Sequence, residues 1–189
     1  MRLEVVWVAR ETGVVARATV PRVARIRGFP PIVGRDARVL VLGSMPSAAS
    51  LAAGQYYAHS RNLFWPIVGE IFGFDASAPY AGRAARLRAA GVAVWDVVAS
   101  CVRAGSLDSA IDERSIVVNP FGALLDAHPR IGRICFNGRM AEAAWRRHVQ
   151  RELPASRSFA YLLLPSTSPA HAAMTYARKL RVWRNALAG

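Results

Sequence analysis

The chain has almost no lysine. Lys179 stands alone among 25 Lys and Arg residues, which face only 12 acidic ones, for a formal charge of +13 over 189 residues. A GC-rich genome explains arginine in place of lysine, but not the excess over acid. That excess predicts a polyanionic partner, and guanidinium groups suit bidentate phosphate contact and stacking on bases. Cysteine is nearly as scarce. Cys101 and Cys135 are isolated in apolar stretches. This excludes a paired-cysteine zinc or iron–sulfur site and predicts reduced core thiols. No apolar run approaches the roughly 20 residues of a membrane span. The first ten residues carry Glu4 and no export-type apolar block, so a cytosolic location (bacterial cytoplasm or nucleoid) is expected. Neither a Gly-x-Gly-x-x-Gly nor a Walker pattern occurs, which argues against a nucleotide-binding enzyme. Repeats and low-complexity tracts are absent too.

What remains is one domain's worth of chain with over half its residues apolar. Residues 3–8 and 14–20 are short and β-branched around Glu11-Thr12-Gly13, the pattern of a β-hairpin. Gly28-Phe29-Pro30-Pro31 then breaks the chain. Residues 1–34 therefore read as an N-terminal extension and residues 35–189 as a single domain. From Arg38 onward apolar runs alternate with helical patterns. Val39–Leu42, Val92–Trp95, Ile131–Phe136 and Tyr161–Leu164 have the continuous apolar character of buried parallel strands. Helices are expected at 64–72, 80–90, 121–127, 138–150 and 176–187, with Asn119 as a cap for the third. Ser106–Asp112 reads as a loop or short helix. This predicts an α/β fold: a three-layer α/β/α sandwich around a central, mainly parallel four-stranded sheet. Such sheets bind ligands beyond the carboxyl ends of their strands, where the unusual segments 43–47, 95–100, 137–139 and 165–171 fall.

Gly43-Ser44-Met45-Pro46-Ser47 leaves a strand directly into a turn. Glycine there lets backbone approach a ligand, and successive amides can hold an anion. A plain structural turn has the same look. The next segment, Gln55-Tyr56-Tyr57-Ala58-His59-Ser60-Arg61-Asn62, is polar and aromatic. A base flipped from a duplex needs an aromatic platform and polar groups for its pairing edge. Tyr56 or Tyr57 supplies the first, and Asn62 offers both acceptor and donors. Phe64 and Trp65 have the spacing of core residues.

These two segments, with Trp95-Asp96-Val97, Phe136-Asn137-Gly138 and Leu164-Pro165-Ser166-Thr167-Ser168-Pro169-Ala170-His171, occur in an order that resembles the DNA-deoxyinosine (hypoxanthine-DNA) glycosylases of the uracil-DNA glycosylase superfamily. The resemblance spans about residues 28–187. It implies a monofunctional hydrolase of the N-glycosidic bond that leaves an abasic site in DNA, without cofactor or metal, as a monomer. It places Gly43, Ser44, Met45, Tyr57, Asp96 and Asn137 around the base. Pro46, Ser47, Ser166, Thr167, Ser168, Ala170 and His171 are placed on the DNA, with Ala170 or His171 filling the gap left by the base. The superfamily's water-positioning Asn or Asp falls on Met45, which has no such chemistry. The role passes to Asn62. Ser166 stands where a His or Asn is common, which removes an electrophile for a uracil carbonyl.

Chemistry supports the arrangement. Cleavage passes through an oxocarbenium-like sugar, so a neutral group that orients water can suffice. An ionised Asp96 would accept from the N1–H of hypoxanthine and repel the bare N1 of adenine. The plainer roles for Asp96 are capping a following helix or pairing with an arginine. His59 and His171 lack a third metal ligand. The competing readings are a uracil or mismatch glycosylase of broad specificity, and a non-catalytic nucleic-acid binder on the same fold.

Overall fold

A computed structural model describes residues 24–154 and 157–188; the hairpin expected at 3–20 lies outside them. In chain order the elements are β1 (Arg25–Arg27), β2 (Val39–Gly43), α1 (Ala48–Ala53), α2 (Phe64–Phe72), α3 (Tyr80–Ala89), β3 (Val92–Asp96), β4 (Val98–Val102), β5 (Val117–Val118), α4 (Phe121–Ala127), β6 (Arg133–Asn137), α5 (Arg139–His148), β7 (Ala160–Leu164) and α6 (Tyr176–Ala188).

The centre is a parallel sheet of order β3-β2-β6-β7. Every residue of β2 and β3 is buried, which explains why these strands read as unbroken apolar runs. Helices flank the sheet. In one group, Phe121 of α4 and Trp145 of α5 meet edge to face at 4.9 Å. In the other, Phe64 of α2 meets Trp183 of α6 at 5.9 Å, and Trp65 meets Tyr80 of α3 at 5.8 Å. This is the expected α/β sandwich, and each of the five expected helices falls within two residues of its expected ends, while the short α1 was not expected. Among the described residues no helix is long and apolar enough to cross a membrane.

The sheet's order places a topological switch at β2. The chain moves from β2 to β3 on one side, then to β6 and β7 on the other. Loops leaving β2 and β6 therefore part at their carboxyl ends and open a crevice.

A second, antiparallel sheet of order β1-β4-β5 abuts the first. Only Val97 separates β3 from β4, so the chain passes from one sheet into the other at Asp96–Val98. Residues 25–34, assigned on sequence grounds to an extension, are joined to the domain by the pairing of β1 with β4 and by the bridge from Ile32 to Val94. Asn119 does not cap α4, whose cap position is Pro120. Its Nδ2 instead donates to the Asp96 carbonyl at 2.8 Å and fixes the end of β3.

Candidate active site

The four strand ends converge on a crevice lined by Gly43, Ser44, Tyr57, Asn62, Asp96, Asn137 and Ser166, among others. Its cavity of about 130 Å³ lies well below the roughly 300–1,000 Å³ of drug-sized ligand sites. That suits one ring system. A larger cavity of about 530 Å³ adjoins it across Ser44 and Asp108, beside Met140 and Ala144. None of its lining side chains is an orphaned polar group, whereas the smaller crevice holds two, Tyr57 Oη and Asp96 Oδ2.

Asp96 lies at the centre of the crevice. It is 3 % exposed, and its Oδ2 has no hydrogen-bond partner. A strand follows it, so it caps no helix. Among the described residues it joins no ion pair. Burial, reinforced by the nearby Asp108 carboxylate and partly offset by Arg103, pushes its pKa up to about 8. Burial therefore favours the protonated acid in the folded protein, where the sequence reading took Asp96 as ionised. The reason is that Asp96 is buried and its Oδ2 meets no hydrogen-bond donor.

The raised pKa also fixes a stability trend. An unfolded aspartate ionises near 3.9, whereas the folded Asp96 keeps its proton up to about 8. Between these values the native state binds the extra proton, so stability is fully present below about pH 4 and falls as pH rises toward 8. Asp96→Asn, neutral throughout, is expected to gain thermal stability over the parent at pH 8 and to lose that advantage at pH 4. Melting curves at the two pH values decide it; a pH-independent difference would refute the assignment.

Gly43 is the register partner of Asp96 across β2 and β3. A Cβ on Gly43 would lie 2.2 Å from Asp96 Oδ1 and 3.2 Å from the Tyr57 hydroxyl. The glycine is thus required by side chains folding over it. Tyr57 has φ 56, the only positive φ on a described non-glycine residue. Such strain tends to sit at functional sites. Its ring stacks on Phe64 with centroids 4.1 Å apart, which leaves one face for another planar group. Tyr56 is excluded as the platform. It is 2 % exposed, and its hydroxyl donates toward the carbonyls of Phe29 and Pro30.

Asn62 is half-buried at the rim. Its Oδ1 accepts from the Phe64 amide at 2.9 Å, a local turn that seats α2. An amide oxygen has two lone pairs, so one remains.

Several residues expected at the base or on the DNA also make contacts within the protein. Thr167 is fully buried. Its amide donates to Asn137 Oδ1 at 2.8 Å and its Oγ1 accepts from Asn137 Nδ2 at 2.9 Å. These two residues form a clasp between the ends of β6 and β7 that buries Thr167 and leaves the Asn137 amide, which also lines the crevice, with one donor and one lone pair. Pro46 is buried, and its carbonyl accepts from Arg103 Nη2 at 2.6 Å. Met45 packs on Val98 and Cys101. Ser47 caps α1 through the Ser50 amide. Ser44 Oγ donates to Asp108 at 2.5 Å. Ser166 and Ser168 accept from the amides two residues on. Ala170 and His171 are exposed at the loop tip. No cluster of three or more metal-type ligands occurs among the described residues.

Sequence reasoning missed Arg103 and Asp108. Arg103 is 4 % exposed, holds the first turn through Pro46, and lies 3.8 Å from Asp108. Nothing local marked either, because each acts on a turn about sixty residues earlier.

Comparison with known proteins agrees with this geometry. Residues 30–187 match the uracil DNA glycosylase superfamily model. A hypoxanthine DNA glycosylase of Methanosarcina barkeri is 36 % identical over 60 % of this chain and 71 % of its own. One of Methanosarcina acetivorans is 37 % identical over 61 % and 72 %. A solution NMR structure from Methanosarcina acetivorans, described provisionally as a uracil DNA glycosylase, superposes with TM-score 0.72 at 29 % identity, over 87 % of this chain and 97 % of that one. This chain belongs to the uracil DNA glycosylase superfamily and is a DNA glycosylase.

Proposed function

We propose that the enzyme removes hypoxanthine from DNA, as a cytoplasmic monomer, by flipping the deaminated base into the crevice and hydrolysing its glycosidic bond. The observation that carries this reading is the buried carboxyl of Asp96, its Oδ2 without a partner, at a base-sized pocket. A protonated carboxyl presents one donor and one acceptor. The N1–H and O6 of hypoxanthine present the complementary pair. The base stacks on the free face of Tyr57. Asn62 directs water with its remaining lone pair, and the sugar cation draws on the DNA phosphates. Ala170 and His171 fill the vacated stack. The names of the two archaeal relatives point the same way.

Protonation affects selectivity. The neutral acid also fits the N1 and N6 edge of adenine, whereas the ionised form offers adenine's N1 no donor. Preference for hypoxanthine over adenine should therefore sharpen as pH rises through about 8. The test is an excision panel of hypoxanthine, adenine, uracil, xanthine and mismatched thymine duplexes at pH 6.5 and 8.5, for the parent and Asp96→Asn. Hypoxanthine should lead in the parent. In the variant its lead over adenine should become independent of pH. Uracil excised faster than hypoxanthine would establish the broad-specificity alternative instead.

A further inference from the structure

The sole lysine of the chain is not on the surface. Lys179 lies on α6, is 1 % exposed, and forms no ion pair among the described residues. Its Nζ donates to the Ser166 carbonyl and to the His171 carbonyl, both at 2.7 Å. One ammonium thus closes the loop that follows β7 upon itself, from near its start to its exposed tip. One helical turn later, Trp183 Nε1 donates to the Pro165 carbonyl at 2.9 Å. A single face of α6 therefore holds three carbonyls of one loop. The clasp between Asn137 and Thr167 already secures the base of that loop without help from α6. Beyond Thr167, the His171 carbonyl is where α6 takes hold of the tip.

The residue type is informative. In a chain that otherwise uses arginine for its side-chain cations, a compact ammonium is kept at this position. Its donors can reach two converging carbonyls, whereas a planar guanidinium needs a wider, flat site. A buried ammonium without a carboxylate is costly, and burial lowers its pKa. The two carbonyl bonds compensate only while the loop stays closed.

We propose that Lys179 is a positioning residue for duplex substrate, which holds the tip of the 165–171 loop in the shape that fills the gap left by the flipped base. This rests on the role given to that loop above, but not on which base is removed. A single strand has no stack to fill, so losing the brace should cost the enzyme on duplex DNA and spare it on single strands.

The test compares the full-length parent with Lys179→Met and Lys179→Arg. The first readout is kcat/KM for the same hypoxanthine-containing strand, free and in duplex. Both variants should lose about 10-fold or more on the duplex, in keeping with the sensitivity of catalysis to small misplacements, and keep most single-strand activity. Equal losses on both substrates would mean a merely structural lysine and would overturn the proposal. The second readout needs no excision. A duplex with a stable abasic analogue carries a fluorescent purine opposite the gap. The parent should raise its emission as the loop tip enters the stack, and both variants should raise it less. An unchanged rise would also overturn the proposal. If the parent releases no hypoxanthine but the emission still depends on Lys179, the base assignment fails and the brace stands. Should Lys179→Met not fold, Lys179→Arg and amine labelling of the parent remain. Lys179 should acylate slowly in the free protein and more slowly still with the abasic duplex bound. Reaction at the rate of a surface lysine in both states would refute the brace.

Discussion

Asn62→Ala is expected to lower hypoxanthine excision by about 10²–10³-fold, the scale seen when one group that stabilises or positions the transition state is removed. The argument is one of elimination and place. Met45, at the position where the superfamily carries its water-directing side chain, is turned into an apolar cluster with Val98 and Cys101. Asn137 is held deep in the crevice by Thr167, away from the rim. Asp96 lies deep in the crevice, where the proposal puts the base. Asn62 is left with an oxygen at the pocket rim and a spare lone pair. The same oxygen seats Phe64, so the alanine variant also loses one hydrogen bond, at a cost of about 1 kcal/mol. Asn62→Asp separates the two effects. It keeps an acceptor for the Phe64 amide and for water, and should fold as the parent does while retaining more activity than alanine. Single-turnover rates alongside melting curves provide the check. Near-parental rates for Asn62→Ala would remove this residue from the chemistry.

Gly43→Ala should be nearly as damaging for a different reason. The added methyl carbon would lie 2.2 Å from Asp96 Oδ1, so the carboxyl must leave its place. Tyr57 is also crowded, with its hydroxyl 3.2 Å away. Overpacking of this kind costs about 1–3 kcal/mol, and a displacement near 1 Å at a reacting site can cost about 10²-fold in rate. The two sites touch, so their effects should not add. In an Asp96→Gly background only the milder 3.2 Å contact with the Tyr57 hydroxyl remains, so most of the stability cost should vanish. A full cost retained in that background would mean that Gly43 is needed by the backbone and not by its neighbour.

How far the sequence spoke depends on the range of each interaction. Val39–Leu42 and Val92–Trp95 are buried on both faces, so their unbroken apolar runs were readable as parallel strands. Helix α1 was not read. Its six residues are mostly alanine, with a single buried Ser50, so no apolar stripe announces it. The second sheet was missed because β4 starts one residue after β3 and pairs with β1, more than seventy positions earlier. Tyr57, Asn62 and Asp96 were legible as crevice-lining residues because they are polar or aromatic side chains in segments at strand ends. Pro46 and Thr167 were misplaced because their partners, Arg103 and Asn137, lie 57 and 30 residues away. The protonation of Asp96 depends on burial and on Asp108, neither of which a linear reading can weigh. Lys179 stood out by its rarity, but its purpose emerges only from the carbonyls it meets.

The passage from β3 to β4 through Asp96, Val97 and Val98 has a consequence for how this scaffold can change. Hydrogen bonds of both sheets hold the main chain there: Val97 N donates to the Gly43 carbonyl and Val98 N to the Ser44 carbonyl, while the Asp96 carbonyl is held by Asn119. The backbone is tied from three directions, yet the side chain at 96 carries no structural bond of its own on Oδ2. Foldability and recognition are thus written into different atoms of one residue. A lineage could exchange the side chain at this corner and acquire a new preferred lesion while the architecture around it stays intact.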